Sequence, residues 1–333
     1  MALISEPVDV IDAGRPDRGR TRSGRPQRHQ RSLGERRRRR HGLLFVAPWL
    51  IGLSAFYLIP LIASLVFSFT NYELVDQDGV DTKFIGLDNW RRLFEDPDVR
   101  HSVLVTMRFA VIFLPATMLI PLAIAYLLTS RHLWGSSLFR LLFFLPSIVP
   151  FVAAAFVWQG FYNDSTGWLN RILRSAGLDP PDWLNDSSWV VPALVVIAMW
   201  GIGNAIIIYT AALRSVPVEL YEAARIDGAN SWRLFRHVTW PMISPVTFYN
   251  LVIALVALGQ YFIVPYVLSD GNGSPNGASL FYTMYFFRQT FNFYDGGYGS
   301  TLAWAMFIVI MTLTGIVFWS ARYWVHYQYE ARK

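Results

Sequence analysis

Residues 103–128 read VLVTMRFAVIFLPATMLIPLAIAYLL. One charged side chain, Arg108, interrupts the run, and Pro115 and Pro121 fall inside it. A bilayer core takes about 20 apolar residues as a helix, so the run is long enough to cross. Five more of the same kind lie near Leu44–Thr70, Leu138–Phe161, Trp189–Leu213, Val246–Leu268 and Thr301–Tyr323. Hydrocarbon offers backbone polar groups no partner, and a helix satisfies its own. The pattern predicts an all-α, polytopic membrane protein with six transmembrane helices. Further prolines in or beside these spans (Pro60, Pro146, Pro150 and Pro265) predict kinks, and kinked bundles suit transporters and channels better than plain anchors.

Composition agrees. Of 333 residues 53% are hydrophobic and 16% charged, where a soluble domain carries about 25% charged residues. Mean hydropathy is +0.32. An ordinary cytosolic enzyme and a disordered chain are both excluded. With no cysteine, disulfides, thiolate catalysis and cysteine metal sites are excluded too, and the redox compartment stays unread.

Charge is concentrated at one end. Residues 1–42 hold 12 Arg and 5 acidic residues, a net +7, leaving a net −1 for the remainder. This stretch has no apolar period and ends in the run Arg36–Arg40; it reads as a basic disordered cytoplasmic tail. A nucleic-acid arm is the rival reading. A charge block holding the N-terminus in the cytoplasm is favoured, because an apolar segment follows at once. That segment is too long for a signal peptide's apolar core. With both termini inside, the inner segments carry 21 Lys and Arg and the outer ones 7, which supports the orientation; without the tail the ratio is 9 to 7.

The six cores contain no Asp, Glu, Lys or His, the groups that proton- or sodium-coupled carriers place within the membrane. Arg108 is near enough to a span end to snorkel. No carboxylate pair, Ser/His pair or HExxH spacing suggests catalysis or a metal; His29, His41, His101, His132, His237 and His326 lie in the tail, in loops or at span ends. A P-loop needs GxxxxGK[ST], and the lysines, Lys83 and Lys333, are not in one. Uphill transport by this bundle would draw its energy from another polypeptide.

Between the fourth and fifth spans the chain reads SVPVELYEAARIDGANSWRLFRHVTWP over residues 215–241. Pro217 suits a helix's first turn, with Ser215 or Val216 at the cap, and Glu219 lies near its positive end. Leu220, Ala223, Ala224 and Asp227 share a face. Gly228 admits positive φ and stops the helix. Asn230 or Ser231 caps a second short helix, which Pro241 ends. The product is a helix–Gly–helix elbow within the cytoplasmic segment 214–245.

These residues resemble the EAA loop of permease subunits of ATP-binding-cassette importers. Glu222-Ala223-Ala224, Gly228 separated from Val238 by nine residues, and Pro241 match its spacing. Asp227, Ala229, Phe235 and Pro245 extend the match to the sugar-importer form. Val238 stands where Ile is usual and Trp240 where Leu is usual. Phe84–Asn89 with Phe94 and Pro97, Phe139-Arg140, Leu145-Pro146, Pro150, Gly297-Tyr298-Gly299 and Ala303-Trp304 are similar to other segments of maltose- and lactose-type subunits. The resemblance covers residues 43–333, a transmembrane permease domain, and leaves the basic tail without a counterpart.

The resemblance implies a bacterial or archaeal plasma membrane protein with both termini cytoplasmic. It implies a second homologous permease subunit, two ATP-binding-cassette ATPase subunits and an extracytoplasmic solute-binding protein. ATP and Mg would sit on the ATPases, with no cofactor, metal or nucleic acid on this chain and no enzymatic activity of its own. Glu222, Ala223, Ala224, Asp227 and Gly228 would couple to an ATPase, with local capping the alternative for Asp227. Placing the maltose-type pocket onto this chain gives Gly201, Asn204, Leu258 and Tyr261, with Gln260 beside them, as the substrate pathway. Glycines open space, amides bind hydroxyls and aromatics stack on sugar rings; interhelical packing is the alternative for all five. A sugar or oligosaccharide is the expected solute, with glycerol 3-phosphate or a polyol as alternatives. A membrane-embedded enzyme is a distant rival that lacks a catalytic constellation.

Overall fold

A computed structural model describes residues 33–75, 81–130 and 133–326. The chain divides into two compact units, residues 1–59 and 60–333. In the first, α1 (Leu33–Leu53) runs through the arginine block into the apolar segment and ends in a π turn over Ser54–Leu58. Residues 33–42 are thus helical, where the composition had suggested a disordered tail; residues 1–32 lie outside the described residues. Extending a helix costs far less than starting one, and Arg, Leu and Glu are good helix formers.

After α2 (Ile59–Phe67), the second unit continues with α3 (Asp88–Glu95), α4 (Pro97–Leu128) and α5 (Ser136–Phe144). Next come α6 (Phe151–Tyr162), α7 (Trp168–Ser175), α8 (Val190–Trp200), α9 (Gly203–Ser215) and α10 (Val218–Ile226). The last are α11 (Ser231–Leu234), α12 (Trp240–Gly259), α13 (Ile263–Leu268), α14 (Tyr282–Phe287) and α15 (Gly296–Trp324). Among the described residues there is no strand, only an isolated bridge between Thr70 and Phe84.

Four stretches are long and apolar enough to cross a membrane: Leu44–Phe67, Pro97–Leu128, Ser231–Leu268 and Gly296–Trp324. Two pairs qualify when joined, bent by 106° between Ser136–Ile148 and Phe151–Tyr162 and by 55° between Val190–Trp200 and Gly203–Ser215. The described residues therefore hold four to six candidate crossings. The sharper bend falls at Pro150, whose ψ of 139° is extended and which has no N–H to continue the ladder. The shallower one falls at Gly201 and Ile202.

Helix α4 is the hub, packing against α8, α9, α12 and α14. It starts where the Asp96 carboxylate accepts from the Asp98 N–H at 2.9 Å, with Pro97 next, as helix starts prefer. Val105, Phe109, Phe113, Thr117 and Pro121 repeat every fourth residue and are buried on one face. Two clusters result. One joins Val105 and Phe109 to Leu194, Phe281, Tyr298 and Leu302. The other joins the far end of α4 (Leu122, Ala125, Leu128) to Ile206, Tyr209 and Leu213 on α9 and Ile243 on α12.

Lipid tails are as apolar as leucine, so such helices associate through close packing and hydrogen bonds. Gly203 shows the first. A Cβ there would stand 2.6 Å from the Phe143 carbonyl oxygen and 2.7 Å from the Phe144 Cα, both backbone atoms that cannot swing aside. Gly203→Val is expected to destabilise the fold by about 1–3 kcal/mol, read as a lower thermal midpoint in lipid nanodiscs. Gly201→Ala should match the parent, since its Cβ would meet nothing nearer than 3.8 Å.

Candidate functional site

The elbow forms, with changes of detail. Pro217 itself, in place of Ser215 or Val216, occupies the N-cap position at ψ 133°, and α10 begins at Val218. A prolyl ring fits that extended conformation and needs no donor. At the other end Gly228 has φ +79°. Its N–H donates to the Arg225 carbonyl at 3.0 Å and the Ala229 N–H to the Ala224 carbonyl at 2.9 Å, the paired bonds of a Schellman motif. Asn230 then caps α11, its side-chain oxygen accepting from the Arg233 N–H at 2.9 Å. Pro241 does not end this helix. A π turn over Phe235–Thr239 carries α11 directly into α12, and Pro241 lies in the first turn of α12, where proline is tolerated.

The base of the elbow is bound to the bundle and its tip is free. Val216 is buried in the cluster at the end of α4, and Tyr221, Phe235, Val238 and Trp240 pack against that cluster. The hydroxyls of Tyr221 and Thr239 bond at 2.9 Å, tying α10 to the π turn, and Phe235 meets Tyr126 of α4 edge to face. By contrast Glu222, Ala223, Asp227 and Gly228 are exposed and Ala224 is half-buried. Ile226 is 86% exposed and Trp232 66%, a cost in water that a partner surface would remove. Among the described residues nothing bonds to the Glu222 or Asp227 carboxylate, while Asp227 holds the C-cap position of α10, its backbone N–H donating to the Ala223 carbonyl at 3.1 Å.

The five pathway candidates separate into two groups. Gly201, Asn204 and Gln260 are exposed, at or beside breaks in helical spans: Gly201 closes α8, Asn204 is in the first turn of α9 and Gln260 closes α12. Breaks free backbone N–H and C=O groups, tolerated at membrane depth only against protein or a watered cavity. Leu258 is buried and lines an apolar cavity of about 640 Å³ among α4, α12 and α15. Tyr261 is engaged already. Its hydroxyl donates to the Leu194 carbonyl at 3.1 Å, and its ring stacks on Phe109 with centroids 4.5 Å apart. Asn250 was not singled out by sequence, since an amide in an apolar run has no motif. It is buried on α12 and its side-chain nitrogen makes no hydrogen bond.

A second polar assembly ties α4 to α15. The Asp96 carboxylate accepts from the hydroxyls of Tyr285 and Tyr298, the latter at 2.7 Å. Gln289 donates to the Tyr285 hydroxyl at 2.8 Å. Arg92 pairs with Asp295 at 2.7 Å and lies 3.8 Å over the Tyr298 ring, while Asp295 caps α15 through the Tyr298 N–H at 3.0 Å. Burial pushes the Asp96 pKa up, but hydrogen bonds from Tyr285, Tyr298 and two backbone N–H groups outweigh it and hold the group below its ordinary value. A carboxylate depressed in the folded state stabilises fully above its unfolded value, about 3.9, and that gain is lost as pH falls through the lower folded value. The difference in thermal midpoint between the parent chain and Asp96→Asn should be constant from pH 7 to pH 5 and shrink below about pH 4. A constant difference down to pH 3 would show that the charge of Asp96 contributes nothing.

Residues 104–326 match the family model described as the binding-protein-dependent transport system inner membrane component. A probable ABC transporter permease protein of Bacillus subtilis (strain 168), YesP, is 34% identical over 290 residues, covering 86% of this chain and 92% of its own. The lactose transport system permease protein LacF of Rhizobium radiobacter is 31% identical over 286 residues, covering 85% and 94%. In solved structures the fold recurs in a bacterial alginate ABC transporter in complex with an alginate pentasaccharide-bound periplasmic protein, at a TM-score of 0.72 and 21% identity over 88% of this chain and 98% of that one. The relatives are transporter permeases, and the match runs from α4 through the elbow to the end of α15. The chain belongs to the family of inner-membrane components of binding-protein-dependent transport systems.

Proposed function

We propose that the chain is one of two membrane subunits of an ATP-driven importer and forms half of a path for a sugar or oligosaccharide. The observation that carries this reading is the elbow, with a free tip, a Schellman hinge at Gly228 and a base built into the packing of α4, α9 and α12. Glu222, Ala223, Ala224, Asp227 and Gly228 dock on one of two ATPase subunits, which hold ATP and Mg. Closure of the ATPase pair drives the tip, and the bundle, with two states of different affinity for that closed pair, switches access. Each bent pair is one crossing, giving six, with both termini and the elbow in the cytoplasm and the basic segment fixing that orientation. An external binding protein delivers solute toward the breaks at Gly201–Asn204 and Gln260, with Leu258 and Tyr261 shaping the wall behind them. The sugar class is supported by the lactose permease among the relatives and by the absence of a charged side chain among these five positions.

Liposomes containing both membrane subunits and the ATPase should accumulate a labelled saccharide only with ATP on the ATPase side and the binding protein on the other. Accumulation of glycerol 3-phosphate in place of any saccharide would reassign the solute and leave the importer standing. Saccharide uptake against a gradient without the ATPase would overturn the importer itself.

A further inference from the structure

Arg108 lies farther from the end of an apolar run than Arg140 or Arg322, the other charged residues within these runs, and transport gives it no task. It is exposed on α4, and among the described residues it has no hydrogen bond and no ion pair. It lines a groove of about 510 Å³ between α4 and the start of α8, with Ser187 and Ser188 beside it and Val111, Ile112 and Pro192 among the apolar walls. No carboxylate lines the groove; the nearest acidic residue in sequence, Asp186, accepts from the Ser188 N–H at 2.7 Å. The Ser187 hydroxyl meets only the Asn276 amide, at 3.5 Å.

Depth gives the groove its meaning. Arg108 lies twenty residues before Leu128, where α4 ends, a rise of roughly 30 Å at 1.5 Å per residue, the thickness of a bilayer's hydrocarbon core. With Leu128 at one edge, the guanidinium stands at the other, at the level of headgroups. A cation and two hydroxyls at that level, above an apolar channel, fit an anion that carries a hydrocarbon tail. A saccharide would find too few hydrogen-bonding partners along such walls.

We propose that this groove holds an anionic phospholipid, its phosphodiester on the Arg108 guanidinium and the Ser187 and Ser188 hydroxyls and one acyl chain along Val111, Ile112 and Pro192. Charge-assisted bonds fix the phosphate, and the tail fills a slot that protein leaves open.

The test is native mass spectrometry of the purified full chain with equimolar palmitoyl-oleoyl phosphatidylglycerol and phosphatidylcholine. The parent chain should retain phosphatidylglycerol in preference, and Arg108→Gln should lower that retention about fivefold, the effect of one basic side chain at an anionic surface. Arg108→Lys should retain most of the preference, and Arg171→Gln, at an exposed loop-helix arginine, all of it. Equal retention of both lipids by the parent chain, or unchanged retention by a monodisperse Arg108→Gln, would overturn the proposal. So would a structure of the assembled importer in which Arg108 pairs with a carboxylate of the neighbouring subunit and no phosphatidylglycerol is kept. If Arg108→Gln does not fold, the parent chain's preference between the two lipids decides.

Discussion

Gly228→Val is expected to lower ATP-driven uptake by tenfold or more while the chain still folds and inserts. Gly228 stands at φ +79°, and a Cβ there would meet no atom within 4 Å. Space is therefore not the obstacle; backbone conformation is. A residue with a side chain is disfavoured in the left-handed region by about 1–2 kcal/mol, and a β-branched one is worse. Valine should push Gly228 out of that region. The Ala229-to-Ala224 bond then breaks and the angle between α10 and α11 is lost, without disturbing the cluster that anchors the base. Gly228→Asn separates this cause from any other, because asparagine is the side chain that best tolerates a helix-terminating left-handed position; its uptake should stay within about threefold of the parent. Equal impairment in both variants would point to the loss of glycine's small surface, with the hinge angle immaterial. Solute-stimulated ATPase activity should fall with uptake, since both read one coupling.

Asp96→Ala should cost about 3 kcal/mol or more of stability, and a drop of the thermal midpoint by more than about 5 °C is expected. Three losses coincide. The cap of α4 goes, typically worth about 1 kcal/mol. The hydroxyls of Tyr285 and Tyr298 lose their acceptor, and both residues are buried, at 4% and 0% exposure, so water cannot readily replace it. An orphaned buried donor costs about 1–3 kcal/mol. Asp96→Asn keeps the cap and one acceptor oxygen and should lie between. Tyr298→Phe removes one donor and should cost less than Asp96→Ala; an equal or larger loss would mean that the ring, under Arg92, matters more than the hydroxyl.

The parts legible in sequence were those whose causes are local. Apolar runs of bilayer length announced the crossings, and the elbow was readable because its instructions (a proline before α10, Gly228 after it, Asn230 before α11) sit within fourteen residues of one another. Where the same local rules allow two outcomes, packing chose. Pro241 was read as a stop, yet it lies in the first turn of α12, which a π turn joins to α11; Pro150 turned the chain through 106°, while Pro115 and Pro121 lie inside an unbroken α4. The Asp96 assembly was hidden because its members, Asp96, Tyr285 and Tyr298, are brought together from opposite ends of the second unit. Tyr298 was noticed only as part of a resembling tripeptide. Gly203 carries no motif, and only the backbone of α5 pressed against it reveals why a side chain there has no room. For the pathway, sequence supplied residue types without surroundings: Tyr261 looked available for a sugar ring and is stacked on Phe109.

The central claim is that the elbow is gripped from the cytoplasm by a separate ATPase. The chain contains no cysteine, so Ala223→Cys, at an exposed position of α10, places one thiol on the tip for a short thiol-reactive photo-cross-linker in the reconstituted importer. The thiol should be labelled by an impermeant reagent from the cytoplasmic face alone, and the cross-linker should capture the ATPase subunit in a pattern that changes when ATP is added. Labelling from the external face, or no cross-link to the ATPase in a complex that still transports, would contradict the claim.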